Sequence, residues 1–162
     1  MNGSACFTGH RDMAEDESSV SERLLPLLEK ACTEEGIKDF YAGGARGFDT
    51  LAAKCVIALR ETHADVKLHL VLPCPNENQL RDWTAEQKEE FYRVLEQADE
   101  IEYTSDHWYW GCMRVRNARL VECASDLCIS YHDKTIKSGT GQTVAFAKKK
   151  GLKIVNLFGK GE

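Results

Sequence analysis

No stretch of this sequence approaches the roughly 18 unbroken apolar residues of a membrane-spanning helix, and no basic segment followed by an apolar run opens it. Membrane and secreted proteins are both disfavoured, and the expectation is a cytoplasmic protein with no membrane partner. Basic charge is also short: 21 Lys and Arg stand against 26 Asp and Glu, a formal net charge of −5. A general electrostatic hold on DNA or RNA needs a basic face, so nucleic acid is not an expected partner. Arg114, Arg116 and Arg119 do cluster, and Lys148, Lys149 and Lys150 run together. Three lysines ending a helix are explained by the negative end of its dipole. Among seven cysteines, an odd number, no Cys-x-x-Cys pair occurs, and most sit in apolar patterns. That reads as reduced, buried thiols and argues against a disulfide frame or a metal site.

What is present is a regular alternation. Residues 5–8 read as a strand broken at Gly9. Val20, Leu24, Leu27, Leu28 and Ala31 then repeat at helical spacing, with Pro26 predicting a kink or a late start. Phe40 and Tyr41 make a short strand ended by Gly43-Gly44. Phe48, Leu51, Ala52, Cys55, Val56 and Leu59 form one continuous helical face. Residues 68–72 predict a strand stopped by Pro73 and Pro75, and Thr84 with Gln87 predicts a capped helix. A short strand at 101–103, a helix at 113–124, a strand at 127–131, a helix at 142–150 and a strand at 153–158 follow. Strands alternating with helices predict an α/β fold, a mostly parallel sheet with helices on both faces. No repeat or linker interrupts it, so residues 1–162 read as one domain.

In open α/β sheets, ligands bind beyond the carboxyl ends of the strands. Three loops there are rich in glycine: Thr8-Gly9-His10-Arg11, then Gly43-Gly44-Ala45-Arg46-Gly47-Phe48-Asp49, then Ser138-Gly139-Thr140-Gly141-Gln142-Thr143. Glycine lets backbone N–H groups approach an anion, and a helix N-terminus adds favourable partial charge. Arg11 and Arg46 are candidate phosphate ligands, with the hydroxyls of Thr8, Ser138, Thr140 and Thr143 around them. Alone, Gly43-Gly44 reads equally well as a tight turn, and the run at 138–143 as a flexible loop with a helix cap. Together they predict a pocket for a phosphate-bearing, nucleotide-like molecule. Neither GxGxxG nor GxxxxGK[ST] occurs, which disfavours a classical dehydrogenase and a P-loop ATPase, and no cofactor is required.

Asp49 either accepts from a ribose hydroxyl or, the preferred reading, stabilises its helix end and orients Arg46. Arg116 and Asn117 face either the pocket or solvent, and His10 is either structural or a ligand contact. Trp83, Trp108 and Trp110 read as core or dimer packing before pocket lining. Oligomeric state is open, a homo-oligomer included.

TGHR at 8–11, GGARGFD at 43–49, Arg116-Asn117, Ser125-Asp126 and SGTGQT at 138–143 resemble, in this order, the SLOG superfamily and within it the YpsA-like branch. The resemblance implies a Rossmann-like fold that binds nucleotides or nucleotide-derived molecules, as a sensor or as an enzyme. The LOG phosphoribohydrolases of that superfamily carry PGGxGTxxE, whose glutamate serves glycosidic cleavage. Here Thr143 stands at that place, and threonine can neither stabilise oxocarbenium-like charge nor activate water as a carboxylate does. A phosphoribohydrolase-like enzyme is therefore the second reading, and a DNA-associated module like the DprA proteins of the superfamily the third.

Overall fold

A computed structural model describes residues 2–159. Twelve elements alternate along the chain: β1 (Gly3–Gly9), α1 (Glu17–Glu35), β2 (Ile37–Ala42), α2 (Phe48–Arg60), β3 (Lys67–Leu72), α3 (Asn76–Gln79), α4 (Ala85–Gln97), β4 (Glu100–Tyr103), α5 (Cys112–Cys123), β5 (Leu127–Tyr131), α6 (Gly139–Lys150) and β6 (Lys153–Asn156). The six strands form one sheet in the order β4-β3-β2-β1-β5-β6, every pair parallel. Helices α1, α2 and α4 pack along one face, α5 and α6 along the other. This is the expected α/β, Rossmann-like arrangement.

Strand burial follows position in the sheet. β5, covered on both faces, is buried along all of Leu127–Tyr131, whereas β4 at the edge is mostly exposed. The main core lies between the sheet and α1, α2 and α4, where Phe7, Phe40 and Phe48 meet Leu24, Leu28, Leu70 and Tyr131. A smaller cluster around Cys6, Val71, Leu120, Val121 and Cys128 sits beneath α5 and α6.

Local signals account for most boundaries. Thr84 and Gln87 form the expected reciprocal capping box. α1 does not start late: Asp16 caps it, and the helix runs through Pro26 to Gly36, which adopts φ 68°. Pro26 sits on the exposed side, where water can satisfy the carbonyl its missing N–H frees. α6 begins three residues before the predicted start, because Ser138 accepts from the Gly141 N–H and caps it there. Its last turn carries Lys148, Lys149 and Lys150 as expected. Lys150 does more than face its own helix end: its Nζ donates to the Val121, Glu122 and Ala124 carbonyls and so closes α5.

The chain crosses from β4 back to β5, so loops leaving β1 and β5 turn in opposite directions and open a crevice between them. Ser125 and Asp126 lie at the opposite end of the sheet. There Asp126 accepts from the Ser4 N–H (3.1 Å) and Ser4 Oγ accepts from the Ser125 N–H (2.8 Å), which fixes where β1 starts against β5.

Phe48 links core and crevice, since its buried ring stacks on Tyr131 (5.8 Å between centroids) and meets Phe7 edge-on (6.3 Å). Phe48→Ala should therefore lower unfolding free energy by about 3–5 kcal/mol in urea titrations. A loss below about 1 kcal/mol would show that the two aromatic contacts are dispensable.

Candidate functional site

The crevice at the carboxyl ends of β1 and β5 is a cleft of about 470 Å³. Its walls include Thr8, Gly9, His10 and Arg11 after β1, Ala45 and Asp49 after β2, Arg116 and Asn117 from α5, and Ser138, Gly139 and Thr140 at the start of α6. The three glycine-rich loops thus meet on one cleft, as the sequence predicts. Asp12, Met113, Leu120 and Ile136 complete the lining. Met113 and Leu120 were legible in principle, lying three residues before Arg116 and three after Asn117 on one helical face. Ile136 sits in an irregular loop with no such signal.

The first two loops are built against each other. The Phe48 N–H donates to the His10 carbonyl (3.2 Å), and a Cβ on Gly9 would enter the Phe48 ring. Gly47 adopts φ 81°, and a Cβ there would collide with the Arg11 carbonyl. Arg46 donates from Nη1 to the Arg11 carbonyl (3.3 Å) and to Asp12 Oδ1 (2.6 Å). So these glycines are demanded by loop-on-loop contact, and Arg46 fastens one loop to the other. Its side chain does not line the cleft, and Asp49 does not orient it: Asp12 does. Gly44, at φ 75°, abuts Leu72 and also lies outside the cleft.

His10 is anchored three ways. Its N–H donates to the Tyr131 carbonyl (3.4 Å), its carbonyl accepts from Phe48, and its Nε2 accepts the Asp133 N–H (2.8 Å). An accepting Nε2 places the ring proton on Nδ1. The imidazole is thus structural and, at the same time, part of the cleft wall.

The cleft's most unusual feature is a buried pair of opposite charges. Asp49 and Arg116 are each 5 % exposed. Asp49 Oδ2 accepts the Ala45 N–H (3.3 Å), but its Oδ1 is buried with no hydrogen-bond partner. Arg116 donates from Nε to Asn117 Oδ1 (3.0 Å) and from Nη1 to the Gly43 carbonyl, while its Nη2 has only the Met113 sulfur at 3.9 Å. Both charged groups press on Gly43, where a Cβ would lie 2.8 Å from Arg116 Nη1 and 2.9 Å from Asp49 Oδ2. Loss of water pushes Asp49 up from 3.8 to about 6, against the pull of Arg116, the Ala45 N–H and Arg11. Burial lowers the pKa of Arg116, and the Asp49 charge opposes that. Arg116 and Asn117 therefore belong to the cleft and are not solvated helix residues.

At the third loop, Ser138 serves as N-cap and leaves the N–H groups of Gly139 and Thr140 without intrahelical partners. Asn117 ties this turn to α5 through Nδ2, 3.5 Å from the Gly139 carbonyl and 3.3 Å from Gln142 Oε1. Gly141 packs beside His132. Thr143 is 0 % exposed and its hydroxyl donates to the Gly139 carbonyl (3.1 Å), so it is a helix-interior group outside the cleft.

The arginine cluster disperses: Arg114 lies over the Phe146 ring, Arg119 pairs with Glu102 and Glu122, and only Arg116 enters the cleft. Trp83 packs on Phe91 as expected, but Trp108 and Trp110 are 52 % and 91 % exposed and are not core residues. Six cysteines are buried and Cys123 is partly so. Among the described residues, no helix is long and apolar enough to cross a membrane.

A family model described as YspA SLOG family (YpsA) matches residues 15–156. The chain belongs to that family. The match takes in Gly43–Asp49, Arg116, Asn117 and the start of α6, but begins after Arg11. The chain is also 29 % identical over 142 residues to the uncharacterized SPbeta prophage-derived protein YoqJ of Bacillus subtilis (strain 168), covering 80 % of this chain and 81 % of that one. To the UPF0398 protein BH1768 of Halalkalibacterium halodurans it is 25 % identical over 126 residues, 76 % of this chain and 63 % of that longer relative.

The raised Asp49 pKa makes a signed prediction. Between about pH 4 and 6 the native state keeps a proton that the unfolded chain has lost, so this group's contribution to stability falls as pH rises through that window. The fall is on the order of 3 kcal/mol. Asp49→Asn removes it, and the stability of the variant relative to wild type should rise from pH 4 to 7 in urea melts. A difference that stays flat across that range would mean Asp49 is not desolvated.

Proposed function

We propose that this protein binds a phosphate-bearing, nucleotide-derived small molecule in the cleft and serves as a sensor or regulatory module. The observation that carries this reading is the convergence of uncommitted donors on one cleft. Arg11 lines it with no carboxylate partner among the described residues, Arg116 has a nearly free Nη2, and α6 presents the N–H groups of Gly139 and Thr140. Cations and a helix N-terminus facing one concave surface favour an anion. The hydroxyls of Thr8, Ser138 and Thr140 add neutral donors suited to phosphate oxygens.

A second reading, a phosphoribohydrolase-like enzyme, gains one specific support. Thr143 cannot act, but Asp49 is a buried cleft carboxyl with a pKa of about 6, in the range expected of a general acid or base. A DNA-associated role finds no such support, since acidic residues outnumber basic ones and the arginines disperse.

Binding of a nucleoside monophosphate and of its nucleoside should be compared by calorimetry. Arg11→Ala should weaken the monophosphate about ten- to a hundredfold and leave the nucleoside nearly unchanged, as for loss of one charge-assisted hydrogen bond. Arg46→Ala should weaken both alike, because it loosens the loop and does not touch the phosphate. Equal losses for Arg11→Ala would overturn the assignment of the anion site. Release of free base from a panel of monophosphates, followed by chromatography, separates sensor from enzyme: turnover near 1 per second or faster would replace the first reading by the second.

A further inference from the structure

Resting on the anion site just proposed, we infer that Asp49 is the cleft's acceptor for a sugar hydroxyl, so that the site selects a phosphorylated sugar over phosphate alone. Almost every polar group turned to the cleft is a donor or a cation: Arg11, Arg116, the α6 N–H groups and three hydroxyls. The other acid in the lining, Asp12, is 87 % exposed at its side chain and occupied by Arg46. Asp49 stands apart. It is buried in the wall and one of its oxygens accepts nothing from the protein.

A buried carboxylate oxygen without a donor carries a desolvation cost that a ligand can relieve. Only a group that gives a hydrogen bond relieves it, and a phosphate dianion at that spot adds repulsion instead. The phosphate therefore belongs on the Arg11 and α6 side, and a hydroxyl-bearing part of the same molecule against Asp49. Arg116, with its spare Nη2, stands beside Asp49 and can donate to the oxygen of the same hydroxyl, so that the hydroxyl bridges the pair. A ribose 5-phosphate unit, with an anion at one end and hydroxyls at the other, has this combination.

Protonation of Asp49 reports which part of the ligand reaches it. The titratable and charged groups that share the cleft with it are Arg116 from α5 and Arg11, His10 and Asp12 from the loop after β1; Asp12 is held by Arg46, and the α6 side offers only N–H groups and hydroxyls. A hydroxyl donated to Asp49 stabilises its ionised form and lowers its titration midpoint, whereas an approaching anion raises it.

The test uses three probes: inorganic phosphate, ribose 5-phosphate, and tetrahydrofurfuryl phosphate, which keeps the ring and phosphate but has no hydroxyl. With the full chain, ribose 5-phosphate should bind ten- to a hundredfold more tightly than tetrahydrofurfuryl phosphate. Asp49→Ala should reduce that ratio to less than about threefold. In wild type, the Asp49 carboxyl followed by carbon NMR should titrate lower with ribose 5-phosphate than without, and this readout stands even where Asp49→Ala fails to fold. Equal binding of all three probes, or a midpoint raised by ribose 5-phosphate, overturns the Asp49 assignment and leaves the anion site standing. Failure of every probe to bind overturns the anion site and this inference with it.

Discussion

The cleft depends on one close approach, that of the loop after β1 to the start of α2. Gly9 lies under the Phe48 ring, Gly47 lies against the Arg11 carbonyl, and the Phe48 N–H closes on His10. Neither loop could hold its shape with a side chain at either glycine. Phe48 is also a core residue, packed on Phe7 and Tyr131, so packing of the sheet's interior sets the path of the backbone in the cleft. The cleft wall thus takes its rigidity from the hydrophobic core.

Three kinds of arginine follow from this construction. Arg46 is spent on holding the loops together through the Arg11 carbonyl and Asp12. An exposed ion pair of that sort adds little stability by itself, so its value lies in the geometry it restricts. Arg11 gives only its backbone carbonyl to that contact, and it lines the cleft with no carboxylate partner among the described residues. Arg116 is a third case: its charge is buried, and the Gly43 carbonyl, Asn117 and the field of Asp49 offset part of the water it has lost.

Much of this was legible in the sequence. Alternating strand and helix patterns gave the parallel sheet, and glycine-rich segments following strands located the cleft, because both follow from local chemistry. The order of residues could not show which glycines face the cleft and which face another loop. Gly47 and Gly9 are required by atoms 35 or more residues away in the chain, and that contact exists only once the sheet has formed. The same blindness put Arg46 in the cleft and Thr143 beside a substrate. One side chain is captured by Asp12, and the other turns back onto Gly139 inside α6. Of the two packing readings for Trp108 and Trp110, the core is excluded, since both are exposed on the single chain although bulk and apolarity predict burial on average.

Asp49 joins these strands of reasoning. Its position in the first turn of α2 suggests a carboxylate stabilised by a helix dipole, which would lower its pKa. Burial acts the other way and is larger, so the group ends near 6 with one oxygen unsatisfied. A fold under selection only for stability would replace it, since an amide of the same shape could accept the Ala45 N–H without a charge to bury. What an amide cannot do is place a negative charge next to the Arg116 guanidinium. The desolvation cost at Asp49 fits the role inferred for it: a carboxylate already stripped of water spares an incoming donor that step, which is preorganisation.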